Sequence, residues 1–169
     1  MDNFKEQLIK IRAFVFDVDG VFSDNVLLDS DGELIRHMNV KDGFAVKTAT
    51  KLGFPIAIIT GGNSESVRKR FNLLDVEDVY LASPNKMVDF NDFCTKHNLQ
   101  AENILYMGDD IPDYEVMTKV GIATSPSDAI PEIHEISHYI SHKKSGDGCV
   151  RDVIEQVLKA HGKWFSFSK

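Results

Sequence analysis

Cysteine is scarce in this chain: two among 169 residues, Cys94 and Cys149, far apart and without a Cys-x-x-Cys pair. That excludes a disulfide framework and fits a reducing compartment. The histidines at 37, 97, 134, 138, 142 and 161 fall into no zinc-binding spacing. Cations are also outnumbered, 19 Lys and Arg against 26 Asp and Glu, for a net charge of −7. Phosphate backbones are held by clustered Lys and Arg, so a nucleic-acid partner is not expected. No apolar run approaches the ~20 residues that span a bilayer, so no membrane partner is expected either. Met1–Gln7 lacks the basic start and apolar core of a signal peptide. The location expected on these grounds is cytoplasmic. With no linker, repeat or low-complexity stretch, residues 1–169 read as a single domain.

What the chain does contain is the balance of a folded protein, 43% hydrophobic and 27% charged. Ile11–Phe16, Pro55–Ile59 and Asn103–Met107 are short apolar runs that do not alternate with polar residues. Strands of this type are buried on both faces, as in a parallel sheet. Val79–Leu81 and Val120–Ala123 are shorter candidates. Segments of helical period lie between them. One follows Asp42-Gly43, one is capped by Ser64, one runs from the Pro84 region to His97-Asn98, and a last one carries Val150, Val153, Ile154, Val157 and Leu158. Alternating strands and helices predict an α/β fold with right-handed crossovers. One interruption, about 25–38, reads as a β-hairpin turning at Asp29-Ser30-Asp31-Gly32.

Parallel strands present their C-terminal ends on one edge, and ligands bind outside that edge. Here the runs finish in Asp17, Thr60 and Asp109, with Asp19, Asp110 and Asp113 just beyond. Two like charges ~4 Å apart repel by about 4 kcal/mol at an effective dielectric of 20, so converging carboxylates call for a cation. An all-oxygen donor set suits Mg²⁺, which keeps several waters and bridges carboxylates to a phosphate. One carboxylate can then attack phosphorus, and a second, two residues on, can move the proton. Thr60 offers a hydroxyl, Gly61-Gly62 a close backbone, and Lys86 the missing cation.

Phe16-Asp17-Val18-Asp19-Gly20-Val21, Ile59-Thr60-Gly61, Lys86 and Gly108-Asp109-Asp110-x-x-Asp113 resemble the four motifs of the haloacid dehalogenase superfamily. The resemblance spans essentially the whole chain. It implies a three-layer Rossmann-like parallel sheet with helices on both faces, a small hairpin flap after the first strand and no large cap domain. By motif, it implies Asp17 as nucleophile and Asp19 as general acid/base, with Thr60, Gly61 and Lys86 on the phosphoryl group. Asp17, the backbone carbonyl of Asp19, and Asp109 would hold Mg²⁺. Asp110 would support the metal site and Asp113 would orient Lys86.

The stretch from Asp19 to Gly62 leaves no room for a large cap. The chain therefore resembles the capless subfamily that includes the 3-deoxy-D-manno-octulosonate 8-phosphate phosphatases of lipopolysaccharide sugar biosynthesis. Val40-Lys41-Asp42-Gly43 and the ending Gln156–Trp164 agree. The resemblance implies a sugar-acid phosphate substrate and a homotetramer in which one subunit's hairpin closes its neighbour's site. The nine-carbon branch of the family carries a Glu directly after the Thr-Gly of this motif, where the present sequence has Gly62, so the resemblance implies the eight-carbon substrate. One departure is Gly146-Asp147-Gly148, where the subfamily usually carries Gly-Arg-Gly. An Arg can grip a carboxylate bidentately and an Asp cannot. Arg68, Arg70 or Lys143-Lys144 are the cations that would compensate, and Gly62, Asn63, Arg68 and Arg70 are the candidates for sugar contacts. A phosphoacceptor receiver domain uses similar residues in a different order, with the accepting Asp on a middle strand. Here the middle strand ends in Thr60. The tail Trp164–Lys169 carries three aromatics that either pack on the domain or meet a neighbouring subunit.

Overall fold

Among the described residues, 4–165 of the computed structural model, six strands form one parallel sheet. They are β1 Ala13–Phe16, β4 Ile56–Ile59, β5 Asp78–Tyr80, β6 Ile104–Met107, β7 Ile122–Ser125 and β8 Tyr139–Ile140. Their spatial order is β5-β4-β1-β6-β7-β8. β2 Val26–Leu28 and β3 Leu34–Arg36 make a separate antiparallel hairpin. The helices are α1 Phe4–Gln7, α2 Val40–Lys51, α3 Glu65–Asn72, α4 Lys86–His97, α5 Ile111–Met117, α6 Pro131–Ile136 and α7 Cys149–Ala160. None is long and apolar enough to cross a membrane.

Every residue of β1, β4, β6 and β7 is buried, and alternate side chains go to opposite faces. Phe14, Phe16, Ile58 and Met107 meet Val46 of α2, Phe71 of α3 and Val153 and Val157 of α7. Val15, Ile59 and Tyr106 meet Phe90 and Phe93 of α4, Val116 of α5 and Ile133 of α6. This is the expected three-layer arrangement. Each fully buried apolar side chain contributes roughly 1.5–3 kcal/mol, which is why strands of four residues suffice.

Some boundaries differ from the sequence expectation, for local reasons. α2 opens at Val40, ahead of Asp42-Gly43, because the Asn39 side chain accepts the Lys41 amide and caps it. Ser64 stands at the cap position of α3 but caps nothing; its hydroxyl bonds Ser66 Oγ at 2.7 Å. β7 lies two residues beyond the expected run, with Met107 paired to Thr124. α4 is bounded as its ends suggest: Asn85 accepts the Met87 amide, and Asn98 turns the chain left-handed at φ 51°. In the tail, Trp164 meets the Phe44 ring edge-on and Phe165 stacks on it, so these two aromatics pack on their own domain. Phe167, the third aromatic, lies outside the described residues.

α2 is tied to α7 by more than apolar packing. Asp42, fully buried in the first turn of α2, accepts the Arg151 amide at 2.7 Å. Its other oxygen has no partner among the described residues. Burial pushes the Asp42 carboxyl up to about 6, against the pull of the Arg151 and Gly148 amides. A carboxyl raised in the folded state favours folding below its unfolded value of about 3.9, and that contribution disappears as pH rises through 6. Asp42→Asn keeps an acceptor for the Arg151 amide and removes the titration. Denaturant unfolding at pH 4 and pH 6.5 should show wild type losing about 2 kcal/mol relative to the variant over that interval. A gap between the two proteins that does not change with pH would contradict the assignment.

Candidate active site

Register places the site. Phe16 pairs with Ile58 on one side and Met107 on the other, so β4, β1 and β6 end level with one another. Asp17, Thr60 and the Gly108-Asp109-Asp110 turn leave the sheet there side by side. Asp17 remains in the sheet's hydrogen bonding, its amide donating to the Met107 carbonyl at 3.1 Å. The chain then doubles back tightly: the amides of Val21, Phe22 and Ser23 all converge on the Val18 carbonyl. Gly20 makes this possible. Its φ is +87°, and a Cβ there would lie 1.9 Å from Asp109 Oδ2, so the Asp109 carboxylate rests directly on the Gly20 backbone.

Lys86 opens α4 and turns its buried ammonium inward. Nζ lies 2.8 Å from Asp17 Oδ2 and 2.7 Å from Asp113 Oδ1. Asp113 is fully buried and in demand. It also accepts the Tyr106 hydroxyl at 2.6 Å and the Asp109 amide at 3.1 Å, and it completes a capping box with Asp110 at the start of α5. Thr60 is buried, its amide donating to the Tyr80 carbonyl and its hydroxyl accepting the Gly62 amide at 3.2 Å. Space opens around Gly61 on the side where a Cβ would stand.

Asp17, Asp109 and Asp113 each offer an oxygen within 4.8 Å of the others. Burial, then Asp113, pushes Asp17 up to about 7 against the pull of Lys86. Burial, then Asp17 and Asp113, pushes Asp109 up to about 8. Lys86 stays charged: burial works against its charge, and Asp17 and Asp113 more than offset it. The donors are all oxygen, which fits a hard divalent cation. Asp113 is the poorest ligand of the three, because its oxygens already receive Lys86, Tyr106 and the Asp109 amide.

The sugar-contact candidates are spread unevenly. Arg68 is drawn to the Val79 carbonyl at 2.7 Å and to Glu65. Asn63 is exposed. Arg70 lines a cleft of about 570 Å³ between the hairpin and α3, together with Met38, Ser66 and Arg36. Arg36 is the residue that sequence reasoning missed. From β3 it reaches across to Asp19, Nε to Oδ1 at 2.7 Å and Nη2 to Oδ2 at 2.9 Å. A lone Arg in a hairpin strand carries no motif; only the fold of the hairpin over its own site reveals it.

Because burial and neighbouring carboxylates raise Asp17 and Asp109, a divalent cation that binds their oxygens favours release of protons from them. Magnesium titrations at pH 7 in buffers of different ionisation enthalpy should give heats that report net proton release, reduced in Asp109→Asn. Heats independent of the buffer would argue against this site.

No family model matches the chain. It is 36% identical over 154 residues to the 3-deoxy-D-manno-octulosonate 8-phosphate phosphatase KdsC of Salmonella typhi, covering 90% of this chain and 82% of that one. The structure of the Yersinia pestis 3-deoxy-D-manno-octulosonate 8-phosphate phosphatase matches with a TM-score of 0.94 at 31% identity, over 98% of this chain and 90% of that one. The Moraxella catarrhalis enzyme of the same name, in complex with magnesium, phosphate and KDO, matches with a TM-score of 0.93 at 28% identity, over 99% of this chain and 97% of that one. With this identity, a shared fold and the acids of its strand ends gathered as described, the chain belongs to the KdsC family of 3-deoxy-D-manno-octulosonate 8-phosphate phosphatases within the haloacid dehalogenase superfamily.

Proposed function

We propose that this protein is a magnesium-dependent phosphatase that hydrolyses 3-deoxy-D-manno-octulosonate 8-phosphate to the free sugar acid and phosphate. The observation that carries the reading is the Lys86 ammonium buried between Asp17 and Asp113 at a sheet edge that also holds Asp109 and Thr60. The eight-carbon sugar acid is the substrate printed in the name of the Salmonella typhi relative, and KDO is the sugar bound in the Moraxella catarrhalis structure. A nine-carbon sugar-acid phosphate has no such support.

Asp17 is the nucleophile. Its Oδ attacks phosphorus, the bond from phosphorus to the sugar oxygen breaks, and that oxygen takes a proton from Asp19. Water then attacks the phosphorus of the aspartyl-phosphate and gives its proton to Asp19, which releases phosphate and restores Asp17. Lys86, the Thr60 hydroxyl and the backbone amides after Thr60 hold the transferring oxygens. Asp113 keeps Lys86 aimed at Asp17, and Asp110 supports the turn that carries Asp109. A magnesium ion held by Asp17, Asp109 and the Asp19 carbonyl neutralises charge on the phosphoryl oxygens. The sugar extends past Gly62 and Asn63 toward the cleft between the hairpin and α3, whose lining includes the guanidinium of Arg70. Arg68 has its own partners and plays a smaller part.

The hairpin supports the assembly reading. Leu27 and Leu28 are 65% and 71% exposed, a costly arrangement unless something covers them. In a homotetramer the tip of one hairpin covers a neighbour's site, excluding water during transfer. A reducing, cytoplasmic location and a place in lipopolysaccharide sugar biosynthesis complete the reading.

Asp17→Asn should lower kcat by at least about a thousandfold with the fold unchanged, measured as phosphate release from a panel of phosphate esters with and without magnesium. Comparable turnover in the variant, or in EDTA, would rule out the mechanism. Leu28→Asp should shift the protein from tetramer toward smaller species in light scattering; an unchanged mass would exclude the hairpin from the interface.

A further inference from the structure

The Arg36–Asp19 fork raises a problem for the reaction just described. Both oxygens of Asp19 are taken by one guanidinium. The Arg36 side chain is only 4% exposed, whereas Asp19 retains 40%. The guanidinium is therefore the more enclosed partner of the pair. Its position is set from a second direction: a Cβ on Gly62 would meet Arg36 Nη2 at 3.0 Å and Asp19 Oδ2 at 3.6 Å. Arg36 thus lies over the turn whose amides face the phosphoryl group. With the fork closed, both oxygens of Asp19 accept from the guanidinium, so the proton that Asp19 must pass to the ester oxygen has to share an oxygen already engaged.

The fork is also the hairpin's tie to the site. Among the described residues, it supplies the side-chain hydrogen bonds from Val26–Arg36 to the body of the domain. The charge count makes the pairing exchangeable. Asp17, Asp19, Asp109, Asp110 and Asp113 face Lys86 and Arg36 as the cations of the site. A phosphoryl group entering there brings two more negative charges and presents its oxygens to a guanidinium much as a carboxylate does.

We propose that Arg36 is an exchangeable partner: it holds Asp19 in the ligand-free protein and transfers its fork to the phosphoryl group when a phosphate ester binds. The ligand that needs Asp19 is thereby the ligand that frees it, and Arg36 becomes a phosphoryl-binding residue on the leaving-group side. This rests on the phosphatase reading of the site, but its test requires no turnover.

The test is a double-mutant cycle on the binding of inorganic phosphate, measured by calorimetry in saturating magnesium, with wild type, Asp19→Asn, Arg36→Met and the double variant. Arg36→Met should weaken phosphate binding about tenfold, and Arg36→Lys, which keeps the charge without the fork, by less. In an exchange, the fork stabilises only the free protein. Removing Asp19 then tightens binding by about fivefold or more beyond the gain it gives in the Arg36→Met background. If the fork persists in the complex, the two gains are equal, and equal gains overturn the proposal. So does an Arg36→Met affinity equal to wild type. Wild-type protein that binds phosphate with this coupling yet hydrolyses no ester would refute the phosphatase reading and leave the exchange standing.

Discussion

The structure of the site depends on one buried ammonium. Lys86 sits between Asp17 and Asp113, and without it three carboxylates within 4.8 Å of one another would face each other through a low-dielectric interior. Burying a lysine is costly, so its neighbours must hold it, and they do so from separate elements. Asp17 comes from the end of β1, Asp113 from the first turn of α5, and Lys86 itself from the first turn of α4. The ion cluster therefore fastens the two helices of one face to the central strand. Tyr106 adds a fourth element by donating from inside β6 to the same Asp113 oxygen. Stability and chemistry draw on the same contacts, which explains why Asp113 can be essential to the arrangement while touching no reacting atom.

Sheet geometry does the remaining positioning. Three neighbouring strands ending level put residues far apart in sequence next to one another without any long loop. The turns after them are short and pinned. The Ser83 amide donates to the Thr60 carbonyl and the Ala82 amide to that of Gly62, so the loop that leads into α4 fixes both the turn after Thr60 and the start of the Lys86 helix. Preorganisation of this kind is what allows charge stabilisation without reorganisation during the reaction.

Much of this was legible in the residues. Uninterrupted apolar runs such as Ile56–Ile59 can only be buried strands, and an acid immediately after such a run is conspicuous because the sheet edge leaves it nowhere apolar to go. What stayed illegible was of two kinds. Short elements such as α5, α6 and β8 are set by tertiary context; α5 has seven residues, and its identity rests on the Asp110–Asp113 capping box rather than on a periodic stripe. The other kind is contact between residues that no local pattern links. Arg36 and Asp19 are seventeen residues apart, on a hairpin strand and a strand-end turn, and no spacing rule joins them. Asp42 is similar: in the sequence it is an acid before a glycine, and only the packing of α2 on α7 makes it the acceptor for an amide 109 residues away.

That last contact has a mechanical consequence. The hairpin returns to the domain through Met38 and Asn39, and α2 begins at once with Val40, so the first turn of α2 is the root from which the hairpin projects. Asp42 moors this root to the amino end of α7, and Arg151, Phe44 and Trp164 stack beside it. The base of the hairpin is thus anchored by α7 and the residues just after it. The support of the hairpin's base thus runs through the last helix, and a substitution that loosens α7 removes a brace from the first turn of α2.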